Sequence, residues 1–281
     1  MLPININLKG KVAVVTGGGG VLCGAMAIEL ARQGMKVAVL NRTLEKAENV
    51  VKEIKSNGGE AIAIKCDVLN KEMVIEAEEK VFQTYGACDV LINGAGGNHP
   101  DGTTTNEVYR AKDLNDDTIR TFFDMTTDGF SAVFNLNFIS TLIPTQVFAR
   151  RMVERKTSII NISSMSSVSP MTKVPAYSSA KAAINNFTQW LAVHMAEANV
   201  RVNAIAPGFF LTDQNRTLLT NEDGSPKPRM QKIIEHTPMR KLGTPKELLG
   251  TLLWLVDDEA SGFVTGTCIP VDGGFMAYSG V

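Results

Sequence analysis

Val12-Ala13-Val14-Val15-Thr16-Gly17-Gly18-Gly19-Gly20-Val21-Leu22-Cys23-Gly24 runs from an apolar, β-branched segment through a string of glycines into a helical pattern at Ala25–Gln33. A strand that is apolar throughout, rather than alternating, belongs in a parallel sheet covered on both faces. The glycine-rich turn after it lets backbone approach a pyrophosphate and aims helix amides at its charge. The plainer reading is a flexible turn. Its place as the first βα turn favours the phosphate reading, because doubly wound sheets bind dinucleotides there.

Outward from this unit the pattern repeats. Candidate strands are Val12–Thr16, Lys36–Leu40, Ala61–Lys65, Val90–Asn93, Ser158–Ile162, Arg201–Ile205 and Thr267–Val271. Helical periods fall at Ala25–Gln33, Leu44–Ser56, Glu72–Tyr85, Gly129–Arg155, Ala176–Ala198 and Pro245–Val256. The alternation predicts an α/β fold, a doubly wound parallel sheet of about seven strands in three α/β/α layers (a Rossmann fold), with ligands at the carboxyl ends of the strands. Residues 1–281 read as a single domain. Two polar stretches interrupt the alternation, at about 97–128 and 209–236. Long loops at that end of such a sheet shape substrate pockets, so the first reads as an inserted substrate loop and the second as a substrate lid.

Composition narrows the function classes. Lys+Arg 28 against Asp+Glu 29 gives a net charge of −1, which offers no attraction to nucleic acid or an anionic membrane. No apolar run reaches the roughly 20 residues of a membrane span, and the amino terminus lacks a signal-peptide core. Cys23, Cys66, Cys88 and Cys268 are dispersed, as are His99, His194 and His236. They read as reduced thiols and isolated imidazoles of a cytoplasmic protein, without a metal site.

The strand ends carry the cofactor candidates. The second strand ends in Asn41-Arg42, where an acidic residue would bond both ribose hydroxyls of NAD. Asn41 removes a charge that would repel a 2′-phosphate and Arg42 offers one that attracts it, which tilts toward NADP. The alternative for Arg42 is an ordinary solvated arginine. NAD and NADP both stay open. Asp67-Val68 follows the third strand, with a carboxylate placed for the adenine amino group, and Asn93-Gly94-Ala95-Gly96 follows the fourth, with small residues that leave room for adenosine.

On the helix Ala176–Ala198, Tyr177 and Lys181 are one turn apart and share a face. A free tyrosine has a pKa of about 10, so acid/base work near neutrality needs a neighbouring positive charge. A phenol so tuned passes a proton to or from a carbonyl or alcohol oxygen as hydride moves. Ser164, at the end of the strand leading into that helix, is placed to hold the oxygen. A lone Tyr-x-x-x-Lys pair is a common surface feature; the strand-end serine is what makes it a candidate site.

Thr16-Gly17, Asn93-Gly94-Ala95-Gly96, Asn137, Ser164, Tyr177-x-x-x-Lys181 and Pro207-Gly208 resemble, in order and spacing, the short-chain dehydrogenase/reductase family, across essentially the whole chain. The resemblance implies an NAD(P)-dependent oxidoreductase in which Ser164 positions the carbonyl or alcohol and Tyr177 is the acid/base. Lys181 lowers the tyrosine pKa and binds the nicotinamide ribose, and Asn137 holds a water in a proton relay. Gly17, Gly18, Gly20 and Leu22 line the phosphates, while Pro207, Gly208 and Thr212 flank the nicotinamide. It also implies a homotetramer or homodimer. One departure is local: Val21 and Cys23 stand where the family has its second and third glycines.

The segment between Asn93 and Asn137 is longer than the family norm. With Gly97-Asn98-His99-Pro100, the loop after Pro207 and the ending Asp272-Gly273-Gly274-Phe275, the chain is similar to the branch of D-mannonate oxidoreductases (fructuronate reductases). That implies a sugar-acid substrate. Asn98, His99, Gln214, Asn215 and Arg216 supply the cation and polar partners for it, Arg suiting a carboxylate. Arg216 also reads as a solvated helix residue, and His99 as a loop-structuring one beside Pro100. Other readings stay open: a reductase of gluconate-type acids, polyols or 3-oxoacyl thioesters, and a non-catalytic dinucleotide-binding protein.

Overall fold

The computed structural model describes residues 8–212 and 215–280. Seven strands form one sheet: β1 (Val12–Thr16), β2 (Lys36–Asn41), β3 (Glu60–Lys65), β4 (Val90–Asn93), β5 (Thr157–Ile162), β6 (Val200–Pro207) and β7 (Cys268–Val271). Their spatial order is β3-β2-β1-β4-β5-β6-β7 and all neighbours are parallel. The helices are α1 (Val21–Arg32), α2 (Leu44–Ser56), α3 (Lys71–Tyr85), α4 (Thr127–Phe134), α5 (Ser140–Phe148), α6 (Pro175–Met195), α7 (Arg216–Leu219), α8 (Pro228–His236), α9 (Lys246–Val256) and α10 (Asp258–Ser261). This is the expected three-layer Rossmann architecture.

The two-residue period of a strand divides the core. Ala13 and Val15 of β1 pack with α1, α2 and α9, whereas Val12 and Val14 pack with α3, α5 and α6. Both faces are therefore apolar, which is why the strands read as unbroken hydrophobic runs. The winding reverses between β1 and β4, where Thr16 pairs with Asn93. A crevice for ligand opens at such a reversal, beyond the carboxyl ends of the two strands.

The structure differs from expectation along Gly129–Arg155. In place of one helix, α4 passes into a π-turn at Asn135–Ile139, then α5 and a 3₁₀ turn at Ala149–Arg151. The polar side chains explain the break. Asn137 Nδ2 donates to the Val133 carbonyl at 2.8 Å, and the Ser140 and Thr141 hydroxyls each reach the Asn137 carbonyl at 3.1 Å, competing for helix acceptors. Pro144 inside α5 removes one further donor. The run Thr127–Arg151 is, contrary to expectation, long and apolar enough to cross a membrane, but half of its most apolar window is buried inside the protein, as in a core helix.

A buried polar ladder crosses the sheet beneath the crevice. Asn93 Nδ2 donates to Thr145 Oγ1 of α5 at 2.8 Å and to Asn161 Oδ1 of β5 at 2.9 Å; Asn161 Nδ2 donates to Thr188 Oγ1 of α6 at 2.9 Å. It pins two strands to two helices in one register, at a depth where an unpaired amide is costly. Asn161→Ala should lower the unfolding free energy by about 2–3 kcal/mol in urea denaturation, because it strips partners from Asn93 and Thr188. A loss below about 0.5 kcal/mol, the range of neutral surface changes, would show that the ladder does not hold the sheet.

Candidate active site

Gly17 enters the glycine turn with φ +63°, and a Cβ there would lie 2.9 Å from the Ala95 backbone. The turn therefore closes onto the end of β4 only with glycine. Gly18 N–H donates to the Leu40 carbonyl at 3.1 Å, and Gly20 caps α1 without a side-chain bond. The helix begins at Val21, earlier than expected, with no acidic residue in its first turn. Its positive end and the first-turn amides of Val21, Leu22 and Cys23 are left for an anion.

Cys23 explains how the turn tolerates its departure from the family pattern. A Cβ on Gly94 would come within 2.2 Å of Cys23 Sγ, so the thiol occupies the space that glycine leaves on the strand side. The close helix–strand approach is kept, with the small residue moved from α1 to β4. Burial pushes the Cys23 thiol up to about 11, so it packs as a neutral group. All four cysteines are free.

The cofactor candidates divide by what their side chains touch. Thr16 and Asn93 are buried, and their side chains brace the end of the sheet. The Thr16 hydroxyl receives the Gly94 and Ala95 amides at 3.0 and 3.3 Å, and Asn93 belongs to the ladder. Ala95 and Gly96 continue the same exit from β4. Asn41 Nδ2 is spent on the Thr43 carbonyl at 2.8 Å, and Asp67 Oδ1 accepts from Leu69 N–H at 3.0 Å beside buried Val68. Arg42 is exposed. Lys46, which the sequence reading missed, brings its Cβ within 2.7 Å of where a Gly19 side chain would start, next to Asn41. At the far end, Gly208 N–H donates to Val271 O at 2.9 Å, just beyond Pro207. Thr212 N–H donates to Asn215 Oδ1 at 2.8 Å. Small residues, free helix amides and an open crevice fit a dinucleotide.

Beside the crevice, Ser164, Tyr177 and Lys181 come together. The Ser164 hydroxyl receives Ser166 N–H at 3.2 Å and Ser166 O–H at 3.0 Å, and it lies beside the Tyr177 phenol, whose pKa it lowers. Ser166 was missed; the run Ser163-Ser164-Met165-Ser166-Ser167 was its signal. Lys181 Nζ lies 5.6 Å from the Tyr177 ring centre and donates to the Ile162 carbonyl at 2.8 Å. Burial raises the Tyr177 pKa and the neighbouring Ser164 hydroxyl only partly offsets it, whereas burial lowers Lys181 to about 8. In the protein by itself desolvation outweighs the neighbouring groups.

Asn137 is buried in the π-turn, and its amide is largely committed. Nδ2 donates to Gly97 O at 2.7 Å and to Val133 O, while Oδ1 accepts from Gly97 N–H at 3.3 Å. It braces the start of the 97–128 segment.

The substrate candidates are less converged. Asn98 Oδ1 accepts from His99 N–H at 3.0 Å, and His99 Nδ1 accepts from Asp101 N–H at 3.2 Å, so both structure their own loop. Asn215 braces its own loop, since its Nδ2 also donates to Phe210 O at 2.8 Å. Arg216 is exposed at the start of α7 with no ion pair among the described residues. Gln214 lies outside the described residues. Among those described, no group of three or more His, Cys, Asp or Glu side chains gathers as a metal site.

A family model described as short chain dehydrogenase matches residues 11–223. An uncharacterized oxidoreductase of Bacillus subtilis (strain 168) is 58% identical over 100% of both chains. A 2-dehydro-3-deoxy-D-gluconate 5-dehydrogenase of Formosa agariphila is 33% identical, over 98% of this chain and 96% of its own. A crystal structure from Haemophilus influenzae with bound NAD, described provisionally as a D-mannonate oxidoreductase, shares 50% identity and a TM-score of 0.93 over 98% of both chains. The chain belongs to the short-chain dehydrogenase family and is an NAD(P)-dependent oxidoreductase.

Proposed function

We propose that the protein interconverts the ketone and secondary alcohol of a hexuronate-type sugar acid, with D-fructuronate and D-mannonate as the pair. The observation that carries the chemistry is the half-buried Tyr177, with Ser164 beside its phenol and the Lys181 ammonium one helical turn away. The sugar-acid assignment draws on the NAD-bound Haemophilus structure, at 50% identity.

In this reading the bound nicotinamide supplies or accepts the hydride. Ser164, with its oxygen already receiving two donors from Ser166, directs its own proton at the substrate oxygen. Tyr177 gives the proton as the alkoxide forms, or takes it in the reverse direction. Lys181 holds a positive charge behind the phenol and offers its remaining N–H donors to the ribose. The glycine turn and α1 hold the pyrophosphate, and Asn41, Arg42 and Lys46 border the adenosine ribose, where NAD and NADP differ.

The chain is read as one domain in which 97–128 and 209–236 wall the substrate site. Self-association as a homotetramer or homodimer belongs to the same reading. Phe134, Phe138, Phe187 and Trp190 form a continuous aromatic row on α4, the π-turn and α6, and nearby Val193 is 81% exposed. A cytoplasmic location accords with four unpaired thiols.

Two measurements test this. Oxidation of NADH and NADPH, followed with fructuronate, a keto-gluconate, a ketose and a 3-oxoacyl thioester, should give a kcat/KM for fructuronate at least about tenfold above the others, a margin of about 1.4 kcal/mol. Preference for a different ketone would replace the substrate; turnover of none would remove the catalytic reading. For ketone reduction, log kcat/KM should fall as pH rises through about 8, where buried Lys181 loses its charge. That limb should be absent in Lys181→Met. A fall of the same shape in the variant would assign the ionisation elsewhere.

A further inference from the structure

Glu107, in the middle of the insert, is bound to two cations of the lid helix. Its Oε1 lies 3.0 Å from Arg229 Nη1, and its Oε2 pairs with Lys232 Nζ; both partners are on α8. Lys173, on the loop between Ser164 and Tyr177, adds a third positive charge nearby. Three segments around the substrate site therefore meet at one carboxylate.

The base of this contact is built, whereas the lid is lightly held. Thr104 N–H donates to Lys173 O at 3.0 Å, and Thr104 Oγ1 to Asn106 O at 2.8 Å. Buried Asp113 receives Asn106 Nδ2 at 3.2 Å and Arg110 N–H at 3.0 Å, fixing the turn on either side of Glu107. In α8, by contrast, Ile233 is the one buried side chain among the described residues. A short helix with so little apolar burial is marginal alone, so its placement rests on specific contacts.

We propose that Glu107 is a positioning residue whose carboxylate latches α8 onto the insert and sets how firmly the lid closes over the substrate. This rests on the reading of the two segments as walls of the substrate site. The latch is partly exposed, so salt weakens it.

Hydrogen–deuterium exchange and steady-state kinetics of the full-length protein test it together. In Glu107→Gln at low salt, α8 amides should exchange about three- to five-fold faster, and the substrate KM should rise by a similar factor with kcat unchanged. Molar salt should bring wild type to the variant's rates and leave the variant unmoved. Exchanging the charges, with Glu107→Arg, Arg229→Glu and Lys232→Glu together, should restore both readouts. Unchanged α8 exchange, faster exchange without a change in KM, or a charge exchange that restores neither would each overturn the proposal. If fructuronate is not turned over, KM is read with the ketone that is. The α8 exchange rate needs no substrate, so failure of the substrate assignment and failure of the latch are distinguishable.

Discussion

The site is organised around a buried cation. Lys181 is 5% exposed, yet its ammonium is not abandoned in the core, because Nζ donates to the Ile162 carbonyl at 2.8 Å. An ammonium taken out of water without a partner is expensive, so this bond fixes where α6 lies relative to the end of β5. Two residues past Ile162 is Ser164, and one turn before Lys181 is Tyr177. The same contact that satisfies the cation therefore sets the hydroxyl beside the phenol. Gly96 completes the enclosure, since a Cβ there would lie 3.5 Å from Nζ and 2.7 Å from Asn137 Oδ1.

Everything around that point serves to hold it still. The Thr145–Asn93–Asn161–Thr188 ladder locks β4 and β5 against α5 and α6, the helices that flank the site. Asn137 ties the π-turn to Gly97 and so to the root of the insert. Across the crevice, the packing of Cys23 on Gly94 keeps α1 close to the sheet. The rigid parts lie at strand ends, whereas in the proposed function the parts that discriminate among substrates are loops. On that proposal chemistry and specificity are carried by different levels of the structure.

Much of this was legible in the sequence because it depends on period and spacing. Unbroken apolar strands alternating with helical periods specify the sheet, and Tyr177 with Lys181 on one face, together with the strand-end Ser164, marks the candidate proton-transfer pair. What was not legible depends on side-chain bonds between distant segments. Nothing local shows that Asn137 diverts a helix into a π-turn, or that the Thr16 hydroxyl and the Asn93 Nδ2 form their bonds inside the protein. Asn215 has the right chemistry for a sugar acid, and only the structure shows that it also bonds Thr212 and Phe210 of its own loop. The pairing of Glu107 with Arg229 and Lys232 joins residues more than a hundred positions apart, a distance over which charge pattern carries no signal. The burial that raises the Tyr177 pKa was hidden for a related reason: it is a property of the fold and not of the spacing.

The central claim is that the Tyr177 hydroxyl carries the proton at a site that binds cofactor independently of it. Single-turnover reduction of a bound ketone by NADH, compared between wild type and Tyr177→Phe, tests that directly, with NADH affinity measured by fluorescence on the same samples. The account predicts a rate at least about 10²-fold lower in the variant, the usual weight of a positioned general acid, with NADH affinity within about threefold of wild type. A variant that turns over at the wild-type rate while binding NADH normally would contradict it.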